Sequence, residues 1–407
     1  MLTGRNHHSV GMGSITETAT SAPGNSSLKP NTKAPLAMTL KLNGYSTAQF
    51  GKCHEVPVWQ SSPMGPFDAW PSAGGGFEKF YGFIGDIGAS AEGTLNGSFN
   101  EMANFNGMGA IETPEFLLSK MDEFGTPSSY NHYAVGWAWA MDAPFQWTKQ
   151  VASHWGGTRN GTIVHWPEGI SEKGGLRSQF THVIDVAPTV LEAAGLPEPT
   201  MVNGVQQSPM EGTSMLYSFD EADAPEKHDL QYFEMFGNRG VYHKGWSAVT
   251  KHRTPWILMG GVIPAFDDDV WELYDGSVDY SQARDLSKEQ PDRLHHLQRL
   301  WLIEAAKYNV LPIDDRGAER LNPELAGRPT LIRGNSQQFF PGMGRLSENS
   351  VVSIKNKSWS VTAEIEVPEA GASGVIIAQG GRFGGWSFYV KNGGATFVYN
   401  VLGIRAM

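Results

Sequence analysis

A single cysteine, Cys53, among 407 residues excludes an intrachain disulfide, so the fold rests on packing and on any metal it retains. No continuous apolar run is long enough to cross a bilayer, and the opening Met1-Leu2-Thr3-Gly4-Arg5-Asn6-His7-His8 lacks the apolar core of a signal peptide. As written, these absences predict a cytoplasmic chain with no membrane partner. Positive charge is also short: 31 Lys and Arg stand against 42 Asp and Glu, a formal net charge of -11. That balance leaves no electrostatic footprint for nucleic acid, and no Lys/Arg run suggests a membrane-surface helix. What is present is 40% hydrophobic and 18% charged, enough for a large core divided between two or three domains.

Residues 14–33 are rich in Ser, Thr, Gly, Asn and Pro and read as a loop. Pro35 to Asn43 reads as a helix stopped by Gly44, and Tyr45 to Phe50 as a strand ending at the polar tip Gly51-Lys52-Cys53-His54. Val56 to Phe83 is a loop packed by its own aromatics. Helices are expected at Thr113 to Phe124, Thr181 to Ala194 and Glu289 to Tyr308, and a buried strand at Thr162 to Trp166, closed by Pro167. Short β runs between Gln231 and Tyr274 suggest a small antiparallel sheet. Beyond Arg333 the pattern is wholly β, with runs at 351–354, 359–367, 374–378, 386–390 and 395–399, most of one sheet of a sandwich. The expected domains are residues 1–227, an α/β core; 228–333, a small antiparallel sheet plus helix; and 334–407, a truncated β-sandwich.

Three constellations carry chemistry. In Phe83-Ile84-Gly85-Asp86-Ile87-Gly88-Ala89-Ser90-Ala91-Glu92-Gly93 an apolar run reaches Asp86 and breaks into small residues, as where a buried strand ends at a sheet's ligand-binding edge. A carboxylate held there is a hard oxygen ligand for Ca²⁺ or Mg²⁺; the spacing alone favours an ordinary turn whose Asp caps the next segment. Lys52 and His54 lie two apart, so an extended backbone puts ammonium and imidazole on one side, a suitable pair for a sulfate or phosphate oxygen. Lys149 opens a run continuing through His154, Gly156, Gly157 and Arg159; His154 and Arg159 read as loop-shaping. Nothing near Cys53 supplies the base of a thiol enzyme. His7 and His8, adjacent on an extended chain, point apart and read as loop structure rather than a shared metal site.

In combination these motifs resemble bacterial arylsulfatases of the alkaline-phosphatase superfamily. The resemblance rests on Leu2-Thr3-Gly4-Arg5-Asn6-His7-His8, Gly51-Lys52-x-His54, Asp86-x-Gly88-Ala89-Ser90-Ala91-Glu92-Gly93, the Gly156-Gly157-Thr158-Arg159-Asn160 run and Thr181-His182-Val183-Ile184-Asp185-Val186-Ala187-Pro188-Thr189. It implies an α/β fold: a mixed sheet sandwiched by helices, a small antiparallel subdomain and an incomplete C-terminal β-sandwich. It implies hydrolysis of aryl sulfate esters through a formylglycine nucleophile and Ca²⁺, with a small-molecule sulfate ester as partner. Lys52 would contact sulfate and nucleophile, His54 would orient the nucleophile, Lys149 would hold the ester on the leaving-group side, and Asp86 would be a calcium ligand. The family has Asn beside that ligand where this chain has Ile87, and the family's nucleophile, upstream Asp pair and leaving-group His have no counterpart here. The expectation is therefore a chain inactive by itself. The alternatives are a non-catalytic sulfate- or glycan-binding remnant, or a fragment of a split sulfatase whose partner is a missing N-terminal piece; full-length relatives would be periplasmic.

Overall fold

Alternation of apolar and polar residues between Leu230 and Asp275 builds the best-defined layer of the molecule. The structure is a computed structural model describing residues 1–81, 89–259, 262–403 and 405–406. It is a mixed α/β fold made of two compact units, residues 1–88, 143–254 and 263–353 in one, and 89–142, 255–262 and 354–407 in the other.

In the first unit, a short helix α1 (Leu36–Leu42) precedes β1 (Ala48–Phe50), which pairs in parallel with β2 (Lys79–Tyr81). Helix α2 (Val186–Ala193) follows a turn of 3-10 helix at Val183–Asp185. Strands β3 (Leu230–Met235), β4 (Asn238–His243), β5 (Trp246–Thr250) and β6 (Trp271–Asp275) form a four-stranded antiparallel meander in chain order. Helix α3 (Pro291–Lys307) covers it. The register aligns Tyr232 with Val241, Val241 with Ala248 and Ala248 with Leu273, so one row of side chains crosses all four strands on one face. Leu297, Trp301 and Ala305, spaced four apart and hence on one helix stripe, fill that row, and all are buried. The buried Trp301 indole donates to the Phe233 carbonyl at 3.1 Å, so packing leaves its polar atom satisfied.

The second unit holds short helices, among them Pro114–Ser119 and Val135–Asp142, and an antiparallel sheet of β7 (Gly374–Gly381), β8 (Gly384–Lys391), β9 (Gly394–Val401) and the two-residue β10 (Arg405–Ala406).

The expected helices at 35–43, 181–194 and 289–308 form close to their boundaries, as do the hairpin strands. The strand expected at Thr162 to Trp166 does not: these residues have no regular structure, and Ile163 is 96% exposed. A strand apolar on both faces needs partner strands and covering helices, and none stands beside it among the described residues. The β runs expected at 351–354 and 359–367 are likewise irregular and largely exposed. Glu364, Glu366 and Pro368 suit that state, because Pro cannot donate to a ladder. No described helix is long and apolar enough to cross a membrane.

Candidate functional site

The opening segment, read from sequence as loop, is a buried polar strap laid against β3. The buried Arg5 guanidinium donates to the Thr3 carbonyl at 2.6 Å and to the Ser208 carbonyl. Asn6 donates to one Glu211 carboxylate oxygen from its backbone at 2.7 Å and its side chain at 3.0 Å, and accepts from Gln231 at 2.8 Å. His8 pairs with Glu234 at 2.9 Å and lies 3.3 Å from the Tyr232 hydroxyl. His7 donates Nε2–H to the Glu234 carbonyl at 3.0 Å. Burial and the neighbouring His8 hold the His7 pKa well below its ordinary value, so it sits as a neutral ring with one donor satisfied. The two rings do not point apart as an extended chain would place them: the chain turns helical at His7, the ring centroids lie 4.2 Å apart and both rings reach Glu234. With every partner a backbone group or a fixed side chain, this strap is scaffold.

Beside it, Asp185 is fully buried at the turn leading into α2. Its carboxylate accepts from the His182 backbone N–H at 2.7 Å, the Thr213 N–H at 2.7 Å and His228 Nδ1 at 2.8 Å. Burial pulls the His228 imidazolium down, but hydrogen bonding to Asp185 and the Asp185 charge outweigh it, and the pKa is raised. Its neighbour His182 is driven the other way, to about 3, by burial first and then by the charge of His228. His182 Nδ1 is buried without a hydrogen-bond partner. Two imidazoles with centroids 6.3 Å apart are thus pushed in opposite directions, His228 toward its charged form and His182 toward its neutral form. Sequence reading quoted this motif but did not single out Asp185, His182 or His228; a carboxylate set between Ile184 and Val186 in an apolar helix start was the available signal.

Lys52 and His54 share the exposed, irregular tip that follows β1. His54 Nε2 lies 2.8 Å from a Glu17 carboxylate oxygen, with both side chains more than a third exposed. Burial raises the Glu17 pKa, but the hydrogen bond and charge of His54 override it, and the net shift is downward. Lys29 and Glu55 form a second pair at 3.0 Å beside the tip. Cys53 is half-buried, and burial pushes its thiol pKa up, the opposite of an activated nucleophile. The structure therefore brings Lys52 and His54 to one surface. Lys149 lies half-buried on a different turn, between Thr148 and Gln150.

The rest of that run is structural. His154 is buried between Ser153 Oγ at 2.9 Å and Glu272 at 2.8 Å. The Arg159 guanidinium lies over Tyr280 at 4.2 Å and Trp155 at 4.6 Å, a cation–π stack that fixes the loop. Asp86 lies outside the described residues, and Ile87 beside it carries no ligand oxygen. Among the described residues no three His, Cys, Asp or Glu side chains are grouped as a metal-ligand set.

The family model described as Sulfatase matches residues 1–104 and 83–196. An uncharacterized sulfatase of Schizosaccharomyces pombe is 27% identical over 203 residues, 49% of this chain and 34% of that protein. The chain thus spans about a third of that relative's length. Among solved structures, Ps i-CgsB in complex with k-i-k-neocarrahexaose aligns at 16% identity with a TM-score of 0.46, covering 81% of this chain and 85% of that one. Ps i-CgsB alone aligns at 15% identity with a TM-score of 0.43 over the same shares.

Proposed function

We propose that the chain is a member of the sulfatase family, as the match over residues 1–196 supports, and that it engages sulfate esters, aryl sulfates among them, through Lys52, His54 and Lys149. Hydrolysis of the ester is the reaction we attach to the whole protein. The observation that best supports the reading is the exposed tip, where an ammonium and an imidazole stand on one short irregular segment beside a family-matching strap. A sulfate oxygen there would accept charge-assisted hydrogen bonds from both. With Nε2–H donated to the Glu17 carboxylate at 2.8 Å, the His54 ring would give Nδ1–H to the anion as the imidazolium.

Turnover needs a nucleophile. The one cysteine in residues 1–407 is Cys53, whose thiol pKa is raised by burial. We therefore expect the 407-residue chain to bind aryl sulfates without turning them over. Calorimetry with a chromogenic aryl sulfate, alongside an absorbance assay, tests both halves. The expected result is measurable binding weakened about tenfold or more by Lys52→Ala and by Lys149→Ala, as for a lost charged hydrogen bond, with release at the uncatalysed rate. Turnover that either substitution abolishes would refute the second half; binding untouched by both would refute the first.

A further inference from the structure

Lys149 stands at the centre of a tight turn whose backbone is strained on both sides of it. The Val151 N–H donates to the Thr148 carbonyl at 3.1 Å, closing a four-residue turn around Lys149 and Gln150. Gln150 has φ of 77°, at the position where such a turn calls for Gly. Trp147, two residues before Lys149, has φ of 67°. Non-glycine residues held left-handed on either side of one lysine persist only where their surroundings over-determine the backbone.

Those surroundings are built from three directions. Behind the turn lies the single helical turn Trp155–Thr158. A Cβ added at Gly156 would come within 2.1 Å of the Trp147 carbonyl oxygen, and one at Gly157 within 2.1 Å of the Val151 carbonyl oxygen, so only glycine lets the two backbones approach so closely. From the start of β4, Asn238 Nδ2 donates to the Gln150 carbonyl at 3.3 Å. His154 supplies the third link. Its ring, 0% exposed, lies edge-on to Trp147 at 6.3 Å, and its Nε2 pairs with Glu272 on β6 at 2.8 Å. The Tyr274 hydroxyl donates to the same Glu272 oxygen at 2.7 Å. A continuous path of contacts thus runs from the meander through Glu272, His154 and Trp147 to Lys149.

We propose that His154 and Glu272 are positioning residues for Lys149, holding the Trp147 end of the turn so that the ammonium is presented in one place. The inference rests on the reading that Lys149 meets the sulfate group, and adds how that ammonium is aimed. A lysine on a loose loop gives up backbone as well as side-chain freedom when it takes an anion; a turn already fixed by packed side chains removes the backbone share of that loss. Glu272 is the accessible end of the link. Its side chain is 32% exposed, so truncating it breaks the path without opening the core around the buried His154.

The test is a double-mutant cycle on the 407-residue chain, with 4-nitrophenyl sulfate binding measured by calorimetry and far-UV circular dichroism used to check that each variant is folded. Glu272→Ala should weaken binding about tenfold, the scale of one charged hydrogen bond, while Glu272→Gln, whose amide oxygen still accepts from His154, should stay within about twofold. In the Lys149→Ala background Glu272→Ala should lose nothing further, whereas in the Lys52→Ala background it should still lose about tenfold, because only a residue acting through Lys149 is coupled to it. Equal losses in all three backgrounds would overturn the positioning role and make Glu272 a general brace; unchanged affinity in Glu272→Ala would overturn it too. A loss in Glu272→Ala with none in Lys149→Ala would overturn the sulfate reading of Lys149 and this inference with it, a pattern distinct from the other two.

Discussion

Replacing Asp185 with Ala removes a carboxylate that is 0% exposed and holds three donors: the backbone N–H groups of His182 and Thr213, and His228 Nδ1. Each buried donor left without an acceptor costs about 1–3 kcal/mol, and stripping one partner from a buried pair costs roughly 3–5 kcal/mol in total. Because the effects overlap, we expect about 4 kcal/mol, a large share of the roughly 5–15 kcal/mol that holds a domain together. Urea unfolding followed by far-UV circular dichroism should show the midpoint of the first unit moving sharply to lower urea, with Asp185→Asn costing less because its amide oxygen still accepts. The pH dependence supplies a second readout. The folded-state pKa of His228 is raised above its ordinary 6.5, so its pairing contributes fully below pH 6.5 and is lost as pH rises through the raised value. The stability difference between the unmodified chain and His228→Gln should therefore be larger at pH 6 than at pH 9. A loss under about 1 kcal/mol in Asp185→Ala, or a His228→Gln difference flat with pH, would refute the reasoning.

Burial pushes the Asp142 carboxyl up to about 6 from 3.8, and its Oδ2 has no hydrogen-bond partner; the native state thus binds the extra proton between those values, and stability falls as pH rises through that window. Asp142→Asn should stabilise the second unit by about 1 kcal/mol or less at pH 7, after discounting for solvent screening, with the gain vanishing below pH 3.8 in matched melts; a constant gain across pH would contradict this. Ile163, at 96% exposure, should accept Thr within about 0.5 kcal/mol in the same urea assay and reduce binding of a hydrophobic dye; a loss above about 1 kcal/mol would mean that Ile163 is packed.

The antiparallel meander was legible because its information is local. Each strand pairs with the next in the chain, and the turns at Phe236-Gly237 and Lys244-Gly245 fix the register within a few residues of the alternation they join. The helix at 291–307 was legible for the same reason: Pro291 marks its start, and Leu297, Trp301 and Ala305 keep one spacing. The run at 162–166 failed because a strand buried on both sides is specified by distant partners rather than by its own residues. Five apolar-leaning residues cannot report whether those partners exist.

The candidate site divides along a similar line, between residues that show their chemistry and residues that are consumed by the fold. Arg5, Asn6, His7 and His8 are the most recognisable part of the chain, yet each is spent on Ser208, Glu211, Glu234 or a backbone carbonyl. Most of their polar atoms are taken up by the fold, which is why a motif can mark a family without marking a catalyst. Lys52 and His54 are the reverse: a bare Lys-x-His is weak as a pattern, but the tip leaves both exposed. His182 could not be found from sequence because its distinguishing property, a buried imidazole whose pKa is pushed down to about 3 beside the Asp185–His228 pair, arises only when residues forty-odd positions apart are brought together. That asymmetry makes Asp185 the informative substitution, since it tests whether the buried pair holds the fold, while Lys52 tests binding at the exposed tip.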